Sequence, residues 1–337
     1  MTRLALIGCG IMGTAHEQRF DRLADRMKVV ACVDIDEERA RQAARALGAR
    51  TATVGFRDVL PDVDAVLIAL PHHLHHPVGM ECLRAGKHVL MEKPLANTES
   101  ECQELIAEAE RQGVVLMVAY VQRYHPLTVR MGELIKAKAY GDVFHVSLWT
   151  EQFTRVGGAD SWHHRADTLG GGQLFSHGCH YIDLLLDWLG EPVSGVHVGT
   201  NFGTPWMECE GTSDVSLKFA SGAVGYHGAT WGARGTRLGY SFHAHATEAM
   251  LEVDQGRDVL LLHRHGKEPE VLLQGEEGGK HTDRETAHFL DCVEHNERPL
   301  TDGPRSLQSL RVIWRLYEAE EHGVVADLRG LGLGSTR

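Results

Sequence analysis

Residues 4–13 read LALIGCGIMG, and this stretch decides the fold of the N-terminal part of the chain. The apolar run Leu4–Ile7 is long enough for a short strand and passes directly into Gly8, Gly10 and Gly13. In a dinucleotide-binding turn the first glycine permits a tight turn. The second lets the backbone approach a pyrophosphate, and the third lets helix and strand pack closely. The stretch therefore predicts the opening turn of a nucleotide-binding domain.

The context that this motif requires lies downstream. The predicted strand Lys28–Val33 ends at Asp34, which follows Gly13 by 21 residues. A carboxylate at that place can accept hydrogen bonds from the adenosine ribose of a dinucleotide. The alternative is that Asp34 only caps the turn after the strand. Strand, glycines and spacing together favour dinucleotide binding.

Charge beside this strand end bears on the choice between NAD and NADP. Asp34 and Asp36 would repel a 2′-phosphate, so NAD is favoured over NADP. Arg39 or Arg41 could still reach a phosphate group, and NADP therefore stays open as the alternative.

Short apolar runs alternate with helical stretches as far as residue 120. The predicted strands are Leu4–Ile7, Lys28–Val33, Ala65–Leu70, His88–Met91 and Val114–Ala119, and the predicted helices are His16–Arg26, Glu37–Leu47, Val78–Ala85 and Glu99–Gln112, the last with Thr98 as its N-cap. Strands that are apolar throughout are typical of a parallel sheet covered on both faces. The predicted fold class is α/β, with a doubly wound Rossmann domain over residues 1–122.

The regular alternation of strands and helices does not continue over residues 123–337, which are predicted to form a second domain. A helix from Pro126, a strand Val143–Thr150 and a helix Gln173–Leu189 precede a run of strands between Val193 and Leu273, and two helices, Thr286–Asn296 and Arg305–His322, close the chain. Ser221-Gly222 marks a hairpin turn between two of the strands. This order predicts an α+β domain with a largely antiparallel, open sheet.

Composition excludes several classes of protein. The 337 residues carry a formal net charge of −12, which argues against nucleic acid or an anionic membrane surface as the main partner. No apolar run approaches the ~20 residues of a membrane span. Seven cysteines are scattered without a CxxC pair, so no disulfide framework is expected and a cytoplasmic location is favoured.

The chain has 22 histidines, in clusters such as His72–His76 and His163-His164. A metal centre is one interpretation of such clusters. However, the sequence contains no HExxH motif, and the clusters are not joined to cysteines or carboxylates at ligand spacing. No metal site is therefore expected.

A lysine follows the predicted strand His88–Met91. Glu92-Lys93-Pro94 lies at the carboxyl end of this strand, where open α/β sheets bind their ligands. A lysine held beside a cofactor can stabilise negative charge that develops on a substrate oxygen. The alternative is an exposed lysine that pairs with Glu92, and the residues alone leave both interpretations open.

A second group of chemically active side chains lies on the predicted helix Gln173–Leu189. Ser176, His180, Asp183 and Asp187 share one stripe, and a histidine there suits general acid–base catalysis. The alternative is a helix with a polar surface. Gly170-Gly171-Gly172, ahead of the helix, would let the backbone approach a nicotinamide or substrate closely.

The segment AGKHVLMEKP, residues 85–94, together with the glycine motif, resembles the Gfo/Idh/MocA family of nicotinamide-dependent sugar and polyol dehydrogenases. Further matches are the Pro71–His75 stretch, Arg123-Tyr124-His125-Pro126, Trp162, Gly170-Gly171-Gly172, Gly178-Cys179-His180-Tyr181-Ile182-Asp183, the hairpin at Ser221-Gly222 and the helix Pro304–Tyr317. The resemblance covers nearly the whole chain.

The resemblance implies roles for individual residues. Lys93 would stabilise the substrate oxygen, and His180 would accept the proton. The residues expected at the cofactor are Gly8, Gly10, Ile11, Met12, Gly13, Asp34, Ile35, Leu70, Pro71, His75, Glu92 and Lys93, and those expected at the substrate are Ser176, His177, Trp162, His163 and Tyr124.

Two positions depart from the family pattern. Ser176 stands where many relatives have an aspartate, and it cannot carry charge to raise the pKa of an imidazole. His177 could compensate, although it points roughly 100° away on an ideal helix. His163 stands where relatives often have an arginine, and Arg165 is the alternative.

The function implied is reversible oxidation of a secondary alcohol of a sugar or cyclitol, with hydride transfer to NAD. Two alternatives stay open: NAD-dependent glycoside cleavage through transient oxidation, and a dinucleotide-binding sensor without activity. Relatives bury the open face of the second-domain sheet, so a homodimer or homotetramer through that face is expected.

Overall fold

In the computed structural model, which describes residues 1–275 and 278–335, the apolar run before the glycines forms strand β1 (Thr2–Ile7). Its residues from Leu4 onward are almost inaccessible to solvent because β1 lies inside a parallel sheet. The other strands are β2 (Met27–Val33), β3 (Thr51–Thr53), β4 (Ala65–Ile68), β5 (His88–Met91) and β6 (Leu116–Val118). Among the described residues the sheet has the order β3-β2-β1-β4-β5-β6. The predicted doubly wound parallel sheet is confirmed.

The helices of this part of the chain are α1 (Ile11–Glu17), α2 (Glu37–Leu47), α3 (His75–Arg84) and α4 (Glu99–Gln112). Helix α4 has its predicted bounds, and Thr98 and Glu101 form a capping box at its start. The helix predicted at His16–Arg26 is wrong: α1 begins at Ile11, and Phe20–Leu23 is a 3₁₀ turn. That tighter turn brings Phe20 and Leu23 into the core.

The chain divides into a first unit, Met1–Tyr124 with Lys280–Leu307, and a second unit, His125–Gly279 with Gln308–Arg337. The sequence predicted that all of residues 123–337 belong to the second domain. The structure differs, because the segment Lys280–Leu307 belongs to the first unit. The cause is hydrophobic burial. Helix α8 (Thr282–His295) places Phe289, Leu290 and Cys292 in the core of the first unit.

The second unit contains a largely antiparallel sheet, as expected. Its strands are β7 (Val143–Glu151), β8 (Pro192–Thr200), β9 (Thr212–Phe219), β10 (Val224–Thr230), β11 (Tyr240–Ala246), β12 (Met250–Asp254), β13 (Val259–His263), β14 (Glu270–Gln274) and β15 (Ala326–Asp327). Within the described residues the order is β14-β13-β12-β11-β7-β10-β9-β8-β15. Of the pairs formed there, β7 and β10 alone run parallel.

The remaining helices are α5 (Pro126–Lys136), α6 (Ala166–Leu169), α7 (Cys179–Leu189) and α9 (Gly303–Glu321). Residues Leu174–Gly178, just before α7, form a π-helical turn. The single regular helix predicted over Gln173–Leu189 is therefore interrupted near its start. Helix α7 packs on one face of the sheet, where Leu185 contacts Gly225 of β10. No helix in the described part of the chain combines the length and apolar character needed to cross a bilayer.

Candidate active site

The glycine turn after β1 has the geometry that the motif predicts. Gly8 has a φ of 98°, and a Cβ on it would lie 2.3 Å from the carbonyl oxygen of Ala69. A Cβ on Gly13 would lie 2.1 Å from the carbonyl oxygen of Gly8, so helix and strand pack closely only with glycine there. A Cβ on Gly10 would meet nothing within 4 Å. The backbone at Gly10 is therefore open to a ligand.

Asp34 links the glycine turn to the end of β2. Its carboxylate accepts hydrogen bonds from the backbone N–H of Cys9 at 2.9 Å and of Asp36 at 2.8 Å. One oxygen, Oδ1, therefore caps the turn after β2, and the other, Oδ2, binds the glycine turn. Arg39 pairs with Asp34 and Asp36 at 3.5 and 3.2 Å, and Arg41 pairs with glutamates of its own helix. Carboxylates thus engage both arginines that could have met a 2′-phosphate.

Two isoleucines beside this turn are unusually exposed. Ile11, at the start of α1, is 67% exposed, and Ile35, just after β2, is 91% exposed. Both lie beyond the carboxyl ends of neighbouring parallel strands, the edge at which ligands of this fold bind. Exposed apolar side chains at a binding edge favour a ligand that covers them.

Glu92 precedes Lys93 and is almost fully buried. One carboxylate oxygen lies 2.9 Å from Nε2 of His16, and the other accepts a hydrogen bond from the backbone N–H of Lys93 at 3.2 Å. Burial would raise the pKa of Glu92, but the hydrogen bond and charge of His16 hold this pKa below its usual value. Glu92 is therefore an anion, and its carboxylate holds the backbone of Lys93 in place. The peptide bond between Lys93 and Pro94 is cis.

His75 is fully buried at the start of α3. Its Nδ1 lies 2.7 Å from the carbonyl oxygen of Pro94, and its Nε2 lies 2.9 Å from that of Leu70. Burial lowers the pKa of His75, whereas the two carbonyl contacts raise it, because only the protonated ring can donate to both carbonyl oxygens. The imidazole therefore ties the loop that contains Leu70 and Pro71 to the loop after Lys93. These two contacts give His75 a positional role, and its contact with a cofactor stays a prediction.

The first unit also buries a carboxyl group that the sequence did not single out. Glu285 of α8 is fully buried, and among the described residues neither of its oxygens has a hydrogen-bond partner. Burial, and then the charge of Glu92, raises the pKa of Glu285 well above its usual value. Its neutral form is therefore the one that the fold favours.

We expect Glu285→Gln to remove a pH-dependent loss of stability. A carboxyl whose pKa is higher in the folded chain binds more protons when folded. The free energy of unfolding therefore falls as the pH rises above the unfolded pKa of about 4.3. Each unit by which the pKa is raised corresponds to about 1.4 kcal/mol lost at high pH.

The measurement is Tm by calorimetry between pH 4 and pH 8. The Glu285→Gln variant should match the wild type at pH 4 and melt at a higher temperature at pH 8. Glu297→Gln, at an exposed position, is the control and should follow the wild type throughout. Parallel curves for the wild type and Glu285→Gln would contradict the assignment.

In the second unit, His177 lies within a chain of hydrogen bonds. The side-chain nitrogen of Gln173 lies 3.2 Å from Nδ1 of His177, and the hydroxyl of Tyr240 lies 3.3 Å from its Nε2. The same hydroxyl donates to Gln152 at 2.7 Å. One neutral tautomer satisfies all three contacts: Nδ1 accepts from Gln173, and Nε2–H donates to Tyr240.

His180 lies on α7 immediately after the π-helical turn. It is 6% exposed, and its ring lies edge-on to His177 with centroids 5.9 Å apart. The two rings are therefore neighbours, as i and i+3 positions of a helix are. Ser176 and Asp183 are also buried, so the interpretation of this stripe as a polar surface is wrong. Asp187 alone of the four reaches solvent, where it pairs with Lys136.

The start of this helical segment is held by Glu210 and Tyr317. One oxygen of Glu210 accepts hydrogen bonds from Leu174 N–H at 3.1 Å and from the Tyr317 hydroxyl at 2.6 Å. The Tyr317 hydroxyl accepts from the N–H groups of Gly172 and Phe175 at 3.3 and 3.2 Å. Burial raises the pKa of Glu210 to about 7. Together the two side chains cap the helical segment that contains His177 and His180.

The three glycines before this segment were expected to let the backbone approach a ligand. A Cβ on Gly172 would instead overlap Glu210, and a Cβ on Gly171 would lie 2.6 Å from Phe175. Gly170 has a φ of 84° at the end of α6. The close approach therefore serves packing within the chain.

The other predicted substrate residues have different environments. Tyr124 is buried in the core of the first unit, and its hydroxyl contacts Thr301 at 3.2 Å. The rings of Trp162 and His163 are in contact, with centroids 3.7 Å apart and planes tilted by 32°. Arg165, the alternative to His163, pairs with Asp167.

Several residues near His177 and His180 were not predicted, namely Gln152, Gln173, Glu210, Trp231, Tyr240 and Tyr317. No motif marks them: Gln173 begins the helical segment, and the others reach it from in or beside separate strands and from α9. Within the described residues no group of three or more histidines, cysteines and acidic residues could hold a metal ion.

Comparison with known proteins shows similarity over most of the chain. D-xylose 1-dehydrogenase (NADP(+)) 2 of Haloferax volcanii is 29% identical over 313 residues, covering 90% of this chain and 93% of that protein. Levoglucosan dehydrogenase of Pseudarthrobacter phenanthrenivorans is 28% identical over 284 residues, covering 74% and 72%. A solved levoglucosan dehydrogenase in complex with NADH and L-sorbose has a TM-score of 0.89 at 21% identity, covering 99% of this chain and 100% of that one. This last similarity shows the fold.

Two family models match the chain in order. Residues 2–120 match an oxidoreductase family with an NAD-binding Rossmann fold, and residues 128–252 match the GFO/IDH/MocA C-terminal domain. The two matches together span well over half of the chain, and they agree with the motifs at residues 8–13 and 85–94. The chain therefore belongs to the Gfo/Idh/MocA family of oxidoreductases.

Proposed function

We propose that this protein reversibly oxidises a secondary alcohol of a sugar, cyclitol or related polyol, with NAD(P) as the hydride acceptor. The observation that carries the proposal is the similarity to a D-xylose dehydrogenase over nine-tenths of both chains. Relatives named as inositol 2-dehydrogenases, such as one of Saccharopolyspora erythraea at 37% identity over 144 residues, point to the same class of substrate.

The proposed mechanism assigns one role to each of two side chains. The bound nicotinamide supplies the acceptor for the hydride that leaves the carbinol carbon. His180 accepts the hydroxyl proton, and Lys93 stabilises the negative charge that develops on the oxygen. The alcohol thereby loses one hydride and one proton and becomes a ketone or lactone. Lys93 is in the first unit and His180 in the second.

NAD is the proposed cofactor in preference to NADP. The open backbone at Gly10 and the exposed Ile11 and Ile35 suit a dinucleotide. Asp34 offers carboxylate oxygens to ribose hydroxyls, and its charge disfavours a 2′-phosphate. The ion pairs that occupy Arg39 support this choice, whereas the Haloferax relative is named for NADP(+).

We also propose that copies of the chain associate through the second-unit sheet, as a homodimer or homotetramer. Strand β8 alternates buried and exposed residues, and Val196 and Val198 are 41% and 66% exposed. Apolar side chains on one face of a sheet favour burial against a second copy. A cytoplasmic location is proposed because the cysteines are free thiols, most of them buried.

A substrate panel tests the proposed reaction. Purified protein is mixed with sugars, cyclitols and their keto forms, and nicotinamide absorbance is followed with NAD and NADP in parallel. We expect saturable reduction of NAD by at least one polyol, and a lower kcat/KM with NADP. Cleavage of an aryl glycoside without net reduction of NAD would replace the proposal with glycoside cleavage. Dinucleotide binding without turnover across the panel would replace it with a sensor.

A further inference from the structure

The second unit carries a group of aromatic and cationic side chains, here called the Trp206 platform: the exposed Phe153, Arg155 and Arg234 and the partly buried Trp206. The rings of Phe153 and Trp206 meet edge to face at 5.7 Å. The guanidinium groups of Arg155 and Arg234 lie over Trp206, at 5.3 and 5.6 Å from its centroid. Arg234 also lies over Phe153 at 5.0 Å.

Arg234 is held in place although it is exposed. Its Nη1 donates to the carbonyl oxygens of Gly203 and Gly232, the first at 3.0 Å. Stacking uses the face of a guanidinium and leaves its other in-plane N–H donors directed outward. Such a group is preorganised to donate hydrogen bonds to a planar or tetrahedral anion.

Arg155 and Arg234 differ from most other arginines of the chain in their ion pairing. Among the described residues, the arginines that pair with carboxylates include Arg3, Arg22, Arg26, Arg39, Arg41, Arg45, Arg50, Arg57, Arg111, Arg130, Arg165, Arg264, Arg298, Arg315 and Arg329. Within the described residues, Arg155 and Arg234 have no carboxylate at ion-pair distance. In a chain of net charge −12, two neighbouring cations without an acidic partner form a local site for an anion.

Contacts within the second unit connect this platform to His180. The ring of His180 lies 5.9 Å from that of His177, which lies 6.4 Å from that of Trp231. Trp231 belongs to a small buried cluster with Leu169 and Met207, against which Trp206 packs. The Trp231 indole N–H is buried and has no acceptor among the described residues. Packed, largely buried side chains therefore connect His180 to the Trp206 platform.

We infer that the Trp206 platform is a substrate subsite that binds an anionic group, a carboxylate or phosphate, on a part of the sugar remote from the carbon that is oxidised. The acidic group of the sugar would accept hydrogen bonds from Arg155 and Arg234. This inference rests on the proposed function, and it narrows the substrate class to acidic carbohydrates.

The test compares matched neutral and acidic substrates. We use cellobiose against cellobiouronate for the carboxylate, and glucose against glucose 6-phosphate for the phosphate, with NAD, at low and high ionic strength. We expect a lower KM for at least one acidic member, and loss of that advantage at high salt because salt screens exposed charges. The pair that shows the advantage identifies the anionic group.

Variants assign the effect to the platform. Arg234→Gln and Arg155→Gln should each raise KM for the acidic substrate at least about tenfold, the size expected for a hydrogen bond to a charged group. Their kcat, and their KM for the neutral substrate, should stay unchanged. Arg237→Gln, at an exposed position nearby in sequence, is the matched control and should behave as wild type.

Equal KM values for the neutral and acidic members of both pairs would overturn the inference. Tryptophan and arginine are also typical of protein interfaces, so a change of oligomeric state in Arg234→Gln would overturn it in favour of such an interface. If no sugar is oxidised, titration of tryptophan fluorescence with cellobiouronate and glucose 6-phosphate tests binding to the subsite independently of the proposed reaction. A saturable change in the wild type that Arg234→Gln loses would support the subsite, and its absence would reject it.

Discussion

Lys93→Met is expected to lower turnover by about three orders of magnitude while leaving the affinity for NAD nearly unchanged. Loss of one group that stabilises developing charge on the reacting oxygen typically costs about 10²–10³ in kcat. Methionine matches the length of the lysine stem but carries no charge and cannot donate a hydrogen bond. The backbone of residue 93 should keep its hydrogen bond to Glu92, so the loop is expected to persist.

The measurement is kcat and KM on the best polyol of the substrate panel, with NAD affinity from quenching of protein fluorescence. Lys28→Met, at an exposed position on β2, is the matched control and should keep wild-type kinetics. Near-normal kcat in Lys93→Met would remove the lysine from the mechanism. A matching loss of NAD affinity would instead indicate that Lys93 acts by binding the dinucleotide.

Local rules account for the parts of the fold that the sequence predicted well. Gly8 and Gly13 lie where the backbone or the packing tolerates no Cβ. The presence of glycine at these positions is therefore itself the signal that a sequence reader can use. Helix α4 begins and ends as expected because Thr98, Glu101 and Gly113 satisfy its terminal groups locally. Lys93 was found at a strand end because strand and motif are contiguous in the chain.

Features that depend on distant partners were missed. Helix α8 joins the first unit because Phe289 and Leu290 complete its core, and nothing in the local sequence says which core they enter. The contact between the hydroxyls of Tyr124 and Thr301 likewise joins residues that are far apart in the sequence. The π-helical turn before His180 was read as regular helix, because periodicity does not register one added residue.

That turn depends on the same kind of distant contact. Glu210 and Tyr317 supply acceptors to three backbone N–H groups between Gly172 and Phe175. The first turn of any helix leaves such N–H groups without partners. Here they are satisfied by side chains from just before β9 and from α9, and the pair replaces a local N-cap. The position of His177 and His180 therefore depends on residues far away in the sequence.

Glu210→Ala is expected to destabilise the protein by about 3 kcal/mol, because it leaves the Leu174 N–H and the Tyr317 hydroxyl without an acceptor in a part-buried place. Glu210→Gln keeps an acceptor oxygen of the same reach and should lose much less. Calorimetry and urea unfolding measure both differences. Because α7 contains His180, we also expect kcat to fall more than tenfold in Glu210→Ala and to be largely restored in Glu210→Gln.

The pH dependence of stability separates a titrating carboxyl from a merely space-filling side chain. With its pKa raised to about 7, Glu210 binds more protons in the folded than in the unfolded chain between about pH 4.3 and 7. Its contribution to the free energy of unfolding therefore falls across that window and is constant above it. Glu210→Gln should flatten this part of the curve, whereas Tyr317→Phe, which removes the hydroxyl partner, should keep a titration there. An unchanged dependence of the free energy of unfolding on pH in Glu210→Gln would show that another group titrates. Equal kcat values in Glu210→Ala and Glu210→Gln would show that the capping contacts do not position His180.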